Sequence, residues 1–256
     1  MRVCILGAGN VAFHLTHAFI DAGHEVFVWN RSDGSLASMR ELGAKYCTTR
    51  IEDIPIDLDL YLISVKDDVV TEVLDMLRGH LPSNVKVAHT AGSLSVEIVG
   101  KRFANCGVLY PMQTFTKGKG LKYSEIPFFI EEKGEMEGFL RALAENVSDK
   151  VYELNSSQRR YLHLASVFAC NFSNHCYTLS ESVLSKIGLP FSVMLPLVDE
   201  TVAKVKQLNS PVDCQTGPAV REDAMVMEAQ KKLLEDQQEK NIYELMSLSI
   251  IDYKHK

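Results

Sequence analysis

The chain lacks a surplus of positive charge: 27 Lys and Arg stand against 33 Asp and Glu among 256 residues, a formal net charge of −6 at pH 7. With a pI near 5.8 and no basic cluster interleaved with aromatics, the sequence excludes the electrostatic surface that nucleic acid demands. No apolar run approaches the ~20 residues of a membrane-spanning helix. Arg2 opens a strand with no signal-peptide pattern before it, so neither a membrane nor an export role is expected and the cytoplasm is the expected location. The six cysteines (Cys4, Cys47, Cys106, Cys170, Cys176 and Cys214) form no C-x-x-C and no Cys/His ligand spacing. They are expected to be packing thiols, with neither a disulfide framework nor a metal site. Internal repeats and low-complexity segments are also missing. The 46% hydrophobic content allows one large or two modest domains.

The most informative segment present is Arg2-Val3-Cys4-Ile5-Leu6-Gly7-Ala8-Gly9-Asn10-Val11-Ala12. A short apolar strand runs directly into G-x-G-x-x-A, and Val11, Leu15, Ala18, Phe19 and Ala22 then recur at helical spacing up to Gly23. Each small residue has a mechanical task in a dinucleotide-binding turn: Gly7 makes the tight bend, Gly9 lets the backbone approach a pyrophosphate, and Ala12 lets helix pack on strand. Free amides at the helix start, in the run Gly7, Ala8, Gly9, Asn10 and Val11, then face the phosphates. The next strand ends in Trp29-Asn30-Arg31-Ser32, where an NAD site carries a carboxylate for the ribose hydroxyls. A guanidinium beside a hydroxyl suits a 2′-phosphate instead. Asn30, Arg31 and Ser32 therefore predict NADP(H), the alternative for Arg31 being a solvated surface arginine. Because the ligand is anionic, the site is expected to be locally positive within an acidic protein.

Further strands are expected at Ala44–Thr48, Leu58–Val65, Val85–Thr90, Val108–Pro111, Ile126–Glu131 and Val151–Leu154, with helices between most of them. This predicts an α/β fold, a doubly wound parallel (Rossmann) sheet, over residues 1–154. From Ser156 to Ile187 apolar residues recur at helical spacing over roughly 30 residues, about 45 Å of helix. More helices follow at Leu197–Leu208, Asp223–Leu234 and Ile242–Ile251, giving an all-helical domain over 155–256. A helix this long and apolar on several faces needs a neighbour, so a homodimer through these helices is expected.

The arrangement resembles the group of pyrroline-5-carboxylate reductases, ketopantoate reductases and β-hydroxyacid dehydrogenases. The segments His89-Thr90-Ala91-Gly92-Ser93, Tyr110-Pro111-Met112-Gln113-Thr114-Phe115, His163 to Asn171 and Thr216-Gly217-Pro218 resemble more closely a family of oxidoreductases with a Rossmann-like domain and a C-terminal domain of unknown function. The resemblance implies that Ser64, Val65 and Lys66 pass over the adenosine side of the cofactor. It likewise implies that Thr90, Ala91 and Gly92 approach the nicotinamide, with Pro111 to Gln113 on the reacting face. Lys66 is read either as a phosphate partner or as a helix-start lysine, and His89 either as a core or as a site histidine. β-Hydroxyacid dehydrogenases of this group place a lysine four residues before a helix asparagine. Asn171 matches the asparagine, but the lysine position is Val167, which points away from hydroxyacids and towards an imine or another carbonyl-type substrate.

His163, Asn171 and Asn174 fall in one quadrant of a regular helix. His163 is the candidate general acid, against the reading of a packing histidine; Asn171 and Gln113 are candidate orienters, and Pro111 and Asn174 further substrate contacts. His14 and His17 are expected to face solvent, and Tyr161 and Tyr177 to be core or interface aromatics. Arg221 and Asp223 are expected to cap a helix or pair across a dimer. Two functions stay open: an NADP(H)-dependent oxidoreductase transferring a hydride to or from a small polar imine or carbonyl/hydroxy substrate, and a non-catalytic NADP(H)-binding sensor or partner-binding protein.

Overall fold

The structure is a computed structural model and describes residues 1–208 and 210–255. It divides into two compact units, Met1–Val167 and Phe168–Lys256. In the first, eight strands form one sheet in the order β3-β2-β1-β4-β5-β6-β7-β8. They are β1 (Arg2–Leu6), β2 (Glu25–Trp29), β3 (Tyr46–Thr48), β4 (Leu60–Ile63), β5 (Lys86–His89), β6 (Asn105–Pro111), β7 (Phe128–Lys133) and β8 (Val151–Glu153). Helices α1 (Asn10–Asp21), α2 (Leu36–Glu41), α3 (Val70–His80), α4 (Glu97–Gly100) and α5 (Phe139–Glu145) connect them.

Side chains alternate across the sheet because successive Cβ atoms of a strand point to opposite faces. Val3, Ile5, Val26, Val28, Leu60 and Leu62 pack with α1, α2 and α5 on one face. Cys4, Leu6, Phe27, Trp29, Tyr61 and Ile63 pack with α3 and α4 on the other. Both faces are covered, which is why β1 and β4 read as unbroken apolar runs. The chain runs outward from β1 to β3 and resumes on the opposite side of β1 at β4, so the point where strand order reverses lies between β1 and β4. In open α/β sheets a ligand binds at that point, at the carboxyl ends of the strands.

The expected doubly wound parallel sheet is present, with one antiparallel pair. β7 runs antiparallel to β6, pairing Pro111 with Phe128 and Cys106 with Lys133. No crossover helix separates them, and without one the chain returns in the opposite direction. The other pairs are parallel.

The predicted long helix is present but not regular. It comprises α6 (Ser156–Ser166), a π-helical stretch Val167–Phe172, and α7 (Ser173–Ser185). Asn155 and Gln158 form a reciprocal capping box at its start, which satisfies two otherwise orphaned amides. Each π turn closes one residue late, so the 3.6-residue arithmetic that grouped His163, Asn171 and Asn174 fails across Val167–Phe172. In the second unit α8 (Leu195–Leu208), α9 (Ala224–Leu233) and α10 (Gln237–Lys254) follow, with Asp223 capping α9 through the Val226 amide. Among that unit's described residues only Leu184 and Ala219 are buried. This thin interior corrects the reading of the cysteines: Cys4 and Cys106 pack in the sheet, but Cys170 and Cys176 are exposed, and all six are free thiols. Among the described residues no helix is long and apolar enough to cross a membrane.

Candidate active site

At the end of β1 the chain turns through Gly7 at φ 124°, where only glycine is comfortable. A Cβ there would strike the Ser64 carbonyl of the neighbouring strand end. The Gly7 N–H donates to Trp29 O at 2.7 Å, which locks the turn to β2. Around Gly9, by contrast, nothing lies within 4 Å of the place a Cβ would take, so the backbone offers an open cradle. Ala12 is fully buried beneath it. No side chain caps α1 and its first turn carries no acid. Its first intrahelical bond is Phe13 N–H to Gly9 O at 2.9 Å, so the amides of Asn10, Val11 and Ala12 have no helical acceptor. Unpaired amides at a positive helix end are what a pyrophosphate requires, and the residues present fit a dinucleotide.

From this turn a cleft of about 690 Å³ extends along the strand ends, lined by Gly7 to Val11, Trp29 to Arg31, Ser64 to Val69, Glu72, Val73, Met76 and Thr90 to Gly92. Every cofactor candidate read from the sequence lines it except Ser32, whose backbone carbonyl accepts from the Asn30 amide at 2.8 Å. Arg31 is exposed and makes no ion pair among the described residues, while the nearby Asp33 is taken by Arg40 at 2.7 Å. The expectation of a locally positive lining is corrected: Arg31 and Lys66 share the cleft with Asp67, Asp68 and Glu72. Carboxylates are tolerated because the cradle at Gly9 and the α1 amides supply positive potential without side-chain charge.

The far end of the cleft is shaped by histidines. His89 is fully buried; its Nδ1 accepts from the Ala91 amide at 3.1 Å, so its Nε2–H donates to Ser95 O at 3.3 Å. Burial, with the Arg159 charge beside it, pushes its pKa down to about 4. This settles the open reading: a neutral core histidine that folds the Thr90-Ala91-Gly92 loop. Gly92 is buried against two rings, and a Cβ on it would lie 2.8 Å from His163 Nδ1 and 3.0 Å from Tyr110 Cε2. The rings meet edge to face, 6.1 Å between centroids, with Tyr110 Oη 3.2 Å from His163 Nδ1.

Helix α6 is fixed beside this loop by Arg159, whose guanidinium is buried and bonds Glu131 Oε2 at 2.7 Å, Ser156 Oγ at 3.3 Å and Leu94 O. Ser156 Oγ also donates to Glu131 at 2.6 Å and accepts from the Val96 amide at 2.9 Å. One ion pair thus ties β7, α6 and the loop after β5 together.

Pro111, Gln113, Asn171 and Asn174 are not among the residues that line the cleft. Pro111 is buried at the end of β6, and Gln113 is exposed with its carbonyl accepting from the Thr114 amide at 2.8 Å. Asn171 is exposed on the π-helical stretch and Asn174 on α7. Lys66 is an exposed lining residue without an ion pair among the described residues.

Two residues escaped the sequence reading. Tyr110 carried a usable signal: β5 and β6 are parallel with His89 opposite Val108, so a residue two beyond Val108 stands level with Ala91 at the ligand edge. His14, expected in solvent, is instead 2% exposed. Its ring bonds Tyr123 Oη at 2.9 Å and Thr116 O at 2.8 Å, and Asn10 donates to Phe115 O at 3.0 Å. Helix α1 thereby fastens the loop between β6 and β7, a contact across more than a hundred residues that helical periodicity cannot reveal.

Residues 2–92 match the family model described as NADP oxidoreductase, coenzyme F420-dependent. Residues 126–250 match a domain of unknown function, DUF2520. No protein of curated function matches the sequence. Among solved structures, BF3122 from Bacteroides fragilis, described provisionally as an NADP oxidoreductase, is 39% identical over 98% of each chain with a TM-score of 0.91. Protein TM1727 from Thermotoga maritima shares the fold at 21% identity, covering 99% of this chain and 98% of its own, TM-score 0.74. So does a reductive aminase from Aspergillus terreus, solved with NADPH and ethyl-5-oxohexanoate, at 13% identity over 98% of this chain and 94% of its own, TM-score 0.73. A Rossmann-type cleft without a ribose carboxylate, joined to the helical domain of unknown function, places the chain in the family of NADP oxidoreductases that includes BF3122, with NADP(H) as its cofactor.

Proposed function

We propose that the protein is an NADP(H)-dependent oxidoreductase that reduces a small polar imine or carbonyl compound. The observation that carries this reading is a cleft with Arg31, which makes no ion pair among the described residues, at one end and the Tyr110–His163 pair packed on Gly92 at the other. Strand order β2-β1-β4-β5 makes these the two ends of one path. In this reading Arg31, with Asn30 and Ser32, takes the 2′-phosphate, the Gly7 to Val11 turn holds the pyrophosphate, and Ser64, Val65 and Lys66 flank the adenosine side. Thr90, Ala91 and Gly92 frame the reacting end.

NADPH supplies a hydride when bound. The chain's task is to orient the acceptor and hold a proton for the atom that gains charge. His163 is assigned to that proton chemistry, with Pro111, Gln113, Asn171 and Asn174 as substrate contacts. The reductive aminase and imine reductases among the structural neighbours support an imine as the first substrate class. So does Val167, which leaves the helix without the lysine of the hydroxyacid enzymes.

Residues 1–154 serve as the cofactor domain and 155–256 as the dimerisation domain in this reading. Phe172, Ile187, Leu197, Leu233 and Leu245 are 50% to 72% exposed. A unit with two buried residues has too little core to stand alone, and a second copy of the chain covering these helices resolves that. Sedimentation at micromolar concentration is expected to give the dimer mass, and a monomer would refute this part. Free thiols and a need for NADPH suit the reducing cytoplasm.

The test of the function is NADPH oxidation with a panel of cyclic imines, 2-keto acids and amine–ketone pairs. Turnover of at least one class supports the reading. Tight NADPH binding with no turnover across the panel would favour the non-catalytic sensor instead.

A further inference from the structure

Resting on that reading, we propose that Arg159, with Glu131 and Ser156, is the positioning residue for the nicotinamide end of the cofactor. It fixes the loop after β5, so that Thr90, Ala91 and Gly92 meet the nicotinamide already ordered. A buried ion pair adds little net stability, because desolvation offsets its attraction, and apolar residues of similar volume would serve a core as well. The bonds that Arg159 makes therefore call for a use besides stability.

That use lies in the loop. Residues 90–96 run from β5 to α4 and belong to no helix or strand, so no ladder holds them. Their first half is fastened from the sheet: the Thr90 amide donates to Ile63 O at 3.0 Å and the Ala91 amide to His89 Nδ1 at 3.1 Å. Their second half is fastened from α6. The Arg159 guanidinium, fully buried, pairs through Nη1 with Glu131 Oε2 at 2.7 Å and donates from Nη2 to Leu94 O. Ser156 Oγ donates to the same Glu131 oxygen at 2.6 Å and accepts from the Val96 amide at 2.9 Å. Gly92, which lines the cleft, lies between the two sets of anchors, with the His163 ring of the same helix packed against it. A loop held on both sides loses little freedom when a ligand lies on it. Freed at Leu94 and Val96, it has to be ordered at each binding event. Ordering the backbone of a single residue costs about tenfold in Kd.

Two ligands separate positioning from a merely structural role. NADP+ carries the nicotinamide, whereas 2′-phospho-ADP-ribose has the same adenosine and phosphates without it. Their Kd values are measured by calorimetry for the wild type, Arg159→Lys and Ser156→Ala. Lysine keeps a cation opposite Glu131, but its point charge lacks the fork that also reaches Leu94 O. Ser156→Ala keeps the ion pair and removes the acceptor of the Val96 amide. The wild type is expected to bind NADP+ more tightly than 2′-phospho-ADP-ribose. The Kd for NADP+ is expected to rise about tenfold in Arg159→Lys and about threefold in Ser156→Ala. That for 2′-phospho-ADP-ribose is expected to stay within about twofold in both. General loosening of the fold weakens the two ligands alike, and that result would overturn the proposal. So would an unchanged Kd for NADP+ in either variant, or equal affinity of the wild type for the two ligands, with the cofactor assignment left standing. If Arg159→Lys does not fold, Ser156→Ala decides alone. Failure of the underlying reading looks different: the wild type would bind neither ligand, and both would fall.

Discussion

Replacing Arg31 by Ala is the sharpest perturbation of the cofactor reading. The guanidinium is exposed at the end of the cleft and has no ion-pair partner among the described residues, since Asp33 is held by Arg40. Asp67, Asp68 and Glu72 outnumber the two lining cations, Arg31 and Lys66, and in the proposed reading Arg31 is the one that meets the 2′-phosphate. A hydrogen bond to a charged group contributes about 1.5–3 kcal/mol, and solvent around an exposed arginine holds the gain near the lower end of that range. A loss of about 1.5–2 kcal/mol corresponds to a roughly 10–30-fold rise in the Kd for NADPH. NADH has no phosphate at that position and its Kd is expected to change less than about twofold. Trp29 is the reporter: it is the only tryptophan, it is 3% exposed, and it lines the cleft two residues from Arg31. Equal weakening of NADPH and NADH, or an unchanged Kd for NADPH, would refute the assignment of Arg31 to the phosphate.

The other predictions concern the groups that hold the far end in shape. Arg159→Ala leaves Glu131, whose side chain is 13% exposed, buried without its cation. The expected destabilisation is about 3–5 kcal/mol, read as a drop of roughly 10 °C in Tm. The exposed Arg141–Glu153 pair is the control, with Arg141→Ala expected to cost under about 1 kcal/mol; similar losses in both variants would refute the distinction. His89 has a folded pKa near 4 against an ordinary 6.5, so between those values the unfolded chain binds a proton that the folded chain does not. Stability is therefore full above about pH 6.5, declines as pH falls towards 4, and changes no further below it from this group, a total on the order of 3 kcal/mol. Urea midpoints measured across this range are expected to fall with acidification in the wild type, and less steeply in His89→Gln; parallel curves would rule His89 out as the source.

What was legible in the sequence follows from how local each signal is. The Gly7, Gly9 and Ala12 constraints act within one turn and its two flanking elements, and β1 and β4 are apolar throughout because both faces of the sheet are covered. Period and composition therefore located the strands, the glycine turn and the helical C-terminal part, while the Ser64–Lys66 and Thr90–Gly92 parts of the lining came from the family resemblance. Strand direction was less accessible: only the missing crossover between Pro111 and Phe128 marks β7 as antiparallel. The π-helical stretch at Val167–Phe172 leaves no mark in an apolar pattern, so regular helical arithmetic cannot be carried from His163 to Asn171 and Asn174. Contacts between distant segments were invisible. His14 meets Thr116 and Tyr123, Arg159 meets Glu131 and Leu94, and Tyr110 meets His163. Each pairs a polar side chain with a partner that only the sheet order brings near.

That same sheet order sets what surrounds the cleft in a chain that lacks the helix lysine. At Val167 the helix leaves its α-helical path, with an aliphatic residue where the hydroxyacid enzymes carry that lysine. The parallel pairing of β5 with β6 brings Tyr110 to the level of Ala91, and the Arg159–Glu131 ion pair holds α6 so that His163 reaches the phenol. In the proposed reading, attraction for the cofactor then rests on the backbone amides of the Gly7 to Val11 turn and on Arg31.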